Sequence, residues 1–472
     1  TTDSNSAFGY KALLNNTTGT RNIAIGVGAL QANTIGSSNT AVGHNSLISN
    51  TTGDNNSAFG RYSLRYSTIG QSNSAFGSNA LRLNTTGINN SAFGFYALRD
   101  NIVGQNNSAF GYQSLRYNTV NNNNAFGFEA LKLNTTGAYN SAFGHQALRA
   151  NTTASYNSAF GFYSLLTNTI GANNTSVGYN NLRFNTTGSF NSGFGVNSLT
   201  GNTIGTHNSA FGYRTLFANT TGSYNVAVGG WALTANTIGV YNSSFGYRAL
   251  TTNTTGNNNS AFGYAALKLN TIGINNSAFG YQALLANTTG IQNIAIGTSA
   301  LQSNTTGSYN TGVGLNVLKT NTIGTANSAF GIEALQNNTT GSSNSAFGSN
   351  ALNSNTIGTK NSAFGYQSMF YTTTGSNNSA FGYRSLFSNT TGYNNTSVGF
   401  RSLNNNTIGA NNVALGMDAL RYNTTGSNNV AVGEESLLSN TIGQNNTAAG
   451  HQSLISNTTD SKSAFGYKTL YS

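Results

Sequence analysis

The sequence predicts an all-β fold, a parallel β-solenoid (β-roll or β-helix) of about 28 coils with a 17-residue repeat. Three observations lead there. A glycine closing a Ser-Ala-Phe-Gly phrase recurs at Gly9, Gly26, Gly43, Gly60 and onward to Gly450 and Gly466. That makes 28 copies and 27 intervals, 25 of them 17 residues and two, before Gly127 and Gly466, 16 residues. Self-similarity at a fixed period marks a stacked array, and helical arrays need roughly 33–47 residues per unit, so a 17-residue unit is too short for one. Finally, proline is absent from all 472 residues and charged residues are only 6%. A proline would remove a ladder donor, and ladders of like charge repel, so stacked coils disfavour both.

Numbering each unit from its glycine as 0 assigns the parts of a coil. Positions −3 to −1, typified by Ser277-Ala278-Phe279, read as a short strand, with Ile, Val or Thr as the alternatives. Position −1 is Phe in 18 copies, −4 is Asn in 27 of 28, and +4 is Leu in 27 with Met369 in the other. Position +7 is Asn and +8 is Thr with few exceptions, and a second short strand is expected over Ala-Leu or Asn-Thr-Thr. Gly at 0, and at +10 in 24 of the 27 units that reach it, is expected to supply positive φ at corners. Leu should stack on Leu as core, Phe on Phe, and Asn on Asn through amide ladders, at about 4.8 Å per coil. Twenty-eight coils at that spacing would make a rod of roughly 130 Å. Position +9 alternates Ile and Thr over long stretches (Ile170, Thr187, Ile204, Thr221), a period of 34. Either the units descend from a duplicated pair, or two units pair into one larger turn, or neighbouring coils alternate environments.

No linker, charge run or composition shift divides the chain, so residues 1–472 read as a single continuous repeat array. Its roughest part is Asp100–Asn124. With no cysteine, disulfides and thiolate metal sites are excluded. No run of 18 apolar residues exists to span a membrane as a helix. The chain starts and stops inside a unit, without an initiator Met, and so reads as a mature or excised piece of something longer.

The phrase Asn-Ser-Ala-Phe-Gly, with variants Asn22-Ile-Ala-Ile-Gly26 and Asn429-Val-Ala-Val-Gly433, resembles the head repeats of trimeric autotransporter adhesins. Similar repeats also look like the shafts of phage tail fibres. The first resemblance implies a left-handed parallel β-roll, three chains side by side, and adhesion to host matrix or cells. The present unit is longer, carries Phe where that family has Ile, and lacks stalk, neck and membrane anchor.

Charge supplies the clearest candidate site. Arg65, Arg82, Arg99, Arg116, Lys132 and Arg149 occupy +5 in six consecutive units. Stacked like charges point to an anionic partner such as an acidic polysaccharide, lipopolysaccharide, another cell-surface glycan or nucleic acid, unless the long side chains splay into water over apolar stems. Aromatics at +1, among them Tyr112, Phe128, Phe162, Tyr213, Tyr247, Tyr264 and Tyr281, would stack on sugars if exposed or form an interface core if packed between protomers. The two ends are nearly one sequence. Thr1 to Leu13 matches Thr458 to Leu470 at 11 of 13 positions. This suggests head-to-tail stacking through Thr1, Asp3, Phe8, Asp460, Phe465 and Tyr467, or one window of a longer array repeating every 457 residues, the offset from Thr1 to Thr458.

Catalysis is not expected, and no cofactor or metal site is called. Asp418 and Glu435 sit at +2 of successive coils, at a spacing that suits a retaining glycosidase pair but equally two solvated acids. Glu129 and His145 form a similar adjacent pair. Fourteen Asn-Thr-Thr triplets are formal N-glycosylation acceptors, closed off if Asn at +7 is internal, and Asn-Asn-Ser/Thr triplets add others. The leading reading is an extracellular or cell-surface structural fibre or filament subunit that self-associates, head to tail or as a homotrimer, and presents a surface for attachment. The alternatives are a phage tail-fibre shaft or an ice- or mineral-surface binder using Thr ladders. A polysaccharide depolymerase would need clustered acids.

Overall fold

The computed structural model describes residues 4–470. The chain divides into two compact units, Thr1–Ile238 and Gly239–Ser472. The first carries fourteen three-residue strands, β1 (Ser6–Phe8) to β14 (Val226–Val228), and the second fourteen more, β15 (Ser243–Phe245) to β28 (Ser463–Phe465). Among the described residues there is no helix. Successive strands within each unit pair in parallel at an offset of 17, as in Ser57↔Ser74 and Ser260↔Ser277, or of 16 at one short coil in each unit. One 17-residue unit is therefore one coil, and the larger 34-residue turn does not occur. Thr and Ile at +9 simply alternate at one exposed corner, as at Thr255 and Ile272.

The core follows from which positions face inward. Ala at −2 and Leu at +4 are fully buried in coil after coil, from Leu30 to Leu437. Position +3, Ala or Ser, is buried beside the leucine, as with Ala266 next to Leu267. Two consecutive residues facing the same side are incompatible with an extended strand, whose side chains alternate. The expected second strand over Ala-Leu is accordingly absent. The backbone there turns through left-handed conformations instead, at +2 and +4, for example Ala265 (φ 55) and Leu267 (φ 49), and again at −5 with Asn258 (φ 57). A left-handed L-residue costs roughly 1–2 kcal/mol. Burying a leucine contributes roughly 1.5–3 kcal/mol, and the turn still pairs with the next coil, Leu267 N–H donating to Ala283 O at 3.0 Å. Burial plus the retained hydrogen bond outweighs the conformational cost.

The two glycines do different work. Gly at 0 has φ between 112 and 142 throughout, which other residues rarely adopt. Gly at +10 does not have positive φ, contrary to the sequence expectation; it is there for space. A Cβ on Gly36 would lie 2.5 Å from Gly53 O and 2.6 Å from Asn33 Oδ1.

That carbonyl is crowded because two asparagine ladders meet on it. In the coil around Gly43, Asn39 at −4 donates from Nδ2 to Gly53 O at 2.8 Å, closing the coil 14 residues later. Asn50 at +7 donates to the same oxygen at 3.0 Å. Asn39 also donates its backbone N–H to Oδ1 of Asn22 in the coil before, at 2.9 Å, and Asn50 Nδ2 donates to Asn33 Oδ1 at 2.7 Å. Both asparagine positions are fully buried. A buried amide left unpaired would cost about 1–3 kcal/mol.

The 16-residue coils lose their residue at this corner and keep the shared carbonyl and the −4 ladder, while the +7 ladder is interrupted there, leaving Asn101 Oδ1 and Asn440 Oδ1 without a donor. Asn107 and Asn118 both donate to Val120 O, at 2.8 and 2.7 Å, and Asn446 and Asn457 both donate to Thr459 O, at 2.8 and 2.9 Å. β7 (Ser108–Phe110) still meets β8 (Asn124–Phe126) in register, as β27 (Thr447–Ala449) meets β28.

Two outcomes follow. Leu267→Ala should lower stability by about 2–5 kcal/mol, while Lys268→Ala should stay within about 0.5 kcal/mol, in chemical denaturation. Deleting Ile272, which imitates the natural short coils, should leave the thermal midpoint nearly unchanged. Deleting Ala266 should lower it sharply, because Leu267 would be turned out of the core. Equal effects of the two deletions would contradict the shared-carbonyl corner.

Candidate functional site

All six ladder cations lie in the first unit, and all are half-buried. They rise on +5 just after the left-handed leucine, beside the side chains at +1, +2 and +6. Their coils are tightly stacked: Phe59, Phe76, Phe93 and Phe110 at −1 follow one another at centroid spacings of 4.6 Å. The structure divides the six into two groups.

Arg65, Arg82, Arg99 and Arg116 pack on tyrosines. The Arg65 guanidinium carbon lies 4.6 Å from the Tyr62 ring centre and 5.1 Å from that of Tyr66. Arg82 reaches the same two rings at 5.6 and 5.9 Å. Arg99 and Arg116 share Tyr96 at 5.1 and 5.0 Å, and Arg116 also meets Tyr117 at 4.9 Å. Arg61 at +1 adds a further charge, 4.5 Å from the Tyr62 ring. Its hydrogen bond to the Tyr62 hydroxyl, at 3.1 Å, draws that hydroxyl below its ordinary pKa, with the charges of Arg61, Arg65 and Arg82 acting the same way. The nearest carboxylate to any of the four is Asp100, 3.6 Å from Arg99 Nε.

Lys132 and Arg149 instead share one carboxylate. Glu129, 8% exposed, takes Lys132 Nζ at 2.7 Å on one oxygen, and Arg149 Nε at 2.7 Å with Gln146 Nε2 at 3.0 Å on the other. Burial by itself would raise the Glu129 carboxyl. The hydrogen bonds from Lys132 and Arg149 and their charges outweigh it and hold the pKa below the usual glutamate value. His145, its neighbour in the adjacent-coil pair noted in the sequence, stacks between Phe128 and Phe162 at 5.1 and 4.8 Å. The two acids of the second pair, Asp418 and Glu435, are engaged with other partners likewise. Asp418 bonds Arg401 at 2.8 Å, with Arg421 at 3.6 Å, and Glu435 accepts from Gln452 at 2.7 Å. Among the described residues no group of three or more His, Asp or Glu is placed to hold a metal.

The aromatic ladders present edges. Phe at −1 and the +1 series Phe95, Tyr112, Phe128, His145, Phe162, Tyr179 stack ring on ring within 4.5–5.8 Å. Rings stacked this way cover each other's faces, so a sugar finds only their rims. The Thr hydroxyls at +8 are occupied as well. Thr271 Oγ1, for one, donates to Thr288 O at 3.0 Å. The Asn-Thr-Thr asparagines are buried inside the +7 ladder, save Asn16 and Asn457 near the two ends, whereas the −5 asparagines of Asn-Asn-Ser, such as Asn258, are exposed.

Of the residues expected at end-to-end contacts, Thr1 and Asp3 lie outside the described residues. Phe8, Phe465 and Tyr467 are 79%, 68% and 70% exposed, against 39% for the internal Phe279. Asp460 falls one place later in the coil than its sequence count suggests, because Thr459 takes the glycine's role. Its carboxylate accepts from Gln444 N–H at 2.7 Å, as Asp54 does from Ser37. Two shallow recesses, of about 560 and 210 Å³, lie at the last coils of the second unit, one edged by Ile442 and Asp460 and the other by Leu454 and Leu470.

Sequence reasoning missed the tyrosines under the arginines and weighed Glu129 only as half of an acid–histidine pair. The spacing of Glu129 to Lys132, both on one turn of the coil, was the available signal for an ion pair. No family model matches the chain, and no curated protein matches it.

Glu129→Gln should destabilise the first unit by about 1–3 kcal/mol at neutral pH by leaving two half-buried cations uncompensated. A carboxyl held below its unfolded pKa contributes stability that is fully present above the unfolded value, near 4.3, and is lost as pH falls through the folded value. The thermal midpoints of wild type and Glu129→Gln should therefore differ at pH 7 and converge as the pH falls through the lowered folded value of that carboxyl. A gap that persists in acid would remove the ion pair as its cause.

Proposed function

We propose that the chain is a structural fibre segment, a stiff repeat rod displayed at the cell surface or outside it that spaces and presents an attachment surface. The observation carrying this reading is the division of labour within the coil. The positions held constant (−4, −2, 0, +4, +7, +10) are the buried ones or the ones whose backbone admits no side chain, and they serve to join coil to coil. The positions at +1, +2, +5 and +6, which are not part of that set, vary from coil to coil. Such a chain repeats its scaffold and varies its surface.

That pattern favours a fibre over an ice- or mineral-binder, which needs a repeated outward face. The regular hydroxyls at +8 donate to the backbone, and +9 is as often Ile as Thr over long stretches. The rings of Phe8 and Phe465 are uncovered where a neighbouring coil would lie. They fit a further coil of the same repeat, supplied by continuation of the chain or by a second copy. A lateral homotrimer is the second reading, favoured by the half-exposed aromatic edges at −1 and +1, which side-by-side packing would bury. The phage tail-fibre shaft remains within the same structural class.

Removing one whole unit, residues 259–275, should leave folding and solubility intact, because stability in such arrays sums over neighbours. Removing eight residues should abolish both. Electron microscopy together with intact mass tests the fibre reading. Long filaments, or a native chain much heavier than 49.1 kDa, support it. Monodisperse compact particles of that mass at high concentration would overturn it, and sedimentation at three times that mass would select the trimer.

A further inference from the structure

We propose that Arg65, Arg82, Arg99 and Arg116 form a binding strip for a linear polyuronate, an acidic polysaccharide with one carboxylate per sugar. The inference rests on the fold and not on the fibre reading; it holds for an isolated coil array as well.

Four consecutive coils carry a guanidinium at the same position, and of the four only Arg99 has a carboxylate within 4 Å, Asp100 at 3.6 Å from its Nε. Stacked like charges oppose folding, and the fold has a remedy that it uses in the next two coils, where Glu129 binds Lys132 and Arg149. In the four coils before, no acid takes that place. Tyr62 and Tyr96 hold the guanidiniums by their faces instead. Arg183 and Arg214 stack on rings too, but singly, so stacking alone is not the signal. Four in an unbroken row is.

The geometry selects the partner. Each of these arginines has its Nε buried while the side chain is only half-buried, so the exposed part is the terminal amino end. That end donates to carboxylates in the paired manner for which arginine is suited. The charges recur once per coil, at the 4.6 Å spacing of the adjacent phenylalanines. A sugar ring linked head to tail is about as long, so a polyuronate lying along the coil axis meets one guanidinium per residue. A single-stranded nucleic acid requires ring faces for its bases. Here Tyr62 already carries three guanidiniums and Tyr96 two, and the +1 rings cover one another.

The test is binding of the whole chain to polygalacturonate, beside a neutral glucan, a sulfated glycan and oligothymidylate, at two salt concentrations. Wild type should bind polygalacturonate best, should ignore the neutral glucan, and should weaken steeply with salt. The quadruple variant R65Q/R82Q/R99Q/R116Q should lose at least tenfold in affinity, and R183Q/R214Q should lose none. Glu129→Gln, which frees Lys132 and Arg149 to lengthen the strip, should bind several-fold more tightly. Unchanged affinity in the quadruple variant, salt-independent binding, or tighter binding of the sulfated glycan or of oligothymidylate would each overturn the proposal. Circular dichroism of each variant confirms that the coil is intact before its affinity is read.

Discussion

Everything in the coil depends on one backbone oxygen. The carbonyl at +10 receives two buried side-chain amides, from −4 and +7, and each amide also reaches along the axis to its counterpart in a neighbouring coil. The first bond closes a loop of fourteen residues; the second ties it to the stack. No other residue fits those positions well. Aspartate would lack the donor and place like charges a coil apart, and glutamine would be too long for an oxygen that already leaves no room for a Cβ on Gly36. The leucine ladder contributes burial, but burial is indifferent to register. The amide network is what specifies that coil n sits on coil n+1 at an offset of 17 or, where the corner is trimmed, 16.

Dependence on that oxygen explains where variation is allowed. The corner from +8 to +10 can lose a residue because only the carbonyl's position matters, and Val120 or Thr459 can supply it. The glycine at 0 has no such latitude. Its φ and the backbone of the next coil both exclude a side chain, and all 28 copies are Gly. At +10, Ala154 shows that the crowding can be relieved once.

The period, the strand at −3 to −1, the buried leucine and the asparagine ladders were all legible in the sequence, because each rests on a residue type whose chemistry admits few environments. The turn at +2 to +4 was not. Leucine has no preference for left-handed φ, and nothing about Leu267 by itself reveals that the core draws it there against that preference. The role of Gly at +10 was misread for the converse reason: glycine is compatible with both positive φ and close approach, and only the neighbouring carbonyl tells them apart. At the candidate site the row of cations was visible. That Glu129 pairs with two of them was not, because it needed the distances from +2 of one coil to +5 of its own and the next.

The two asparagine ladders also run in one direction. In each, the later coil donates and the earlier coil accepts: Asn39 to Asn22 at −4, and Asn50 to Asn33 at +7. A coil therefore has unlike faces, amide hydrogens toward the amino-terminal side and oxygens toward the carboxyl-terminal side. Two such stacks brought together by like ends would set donor against donor or acceptor against acceptor. Addition is possible only with the same polarity, so growth by coils of this kind has a built-in arrow.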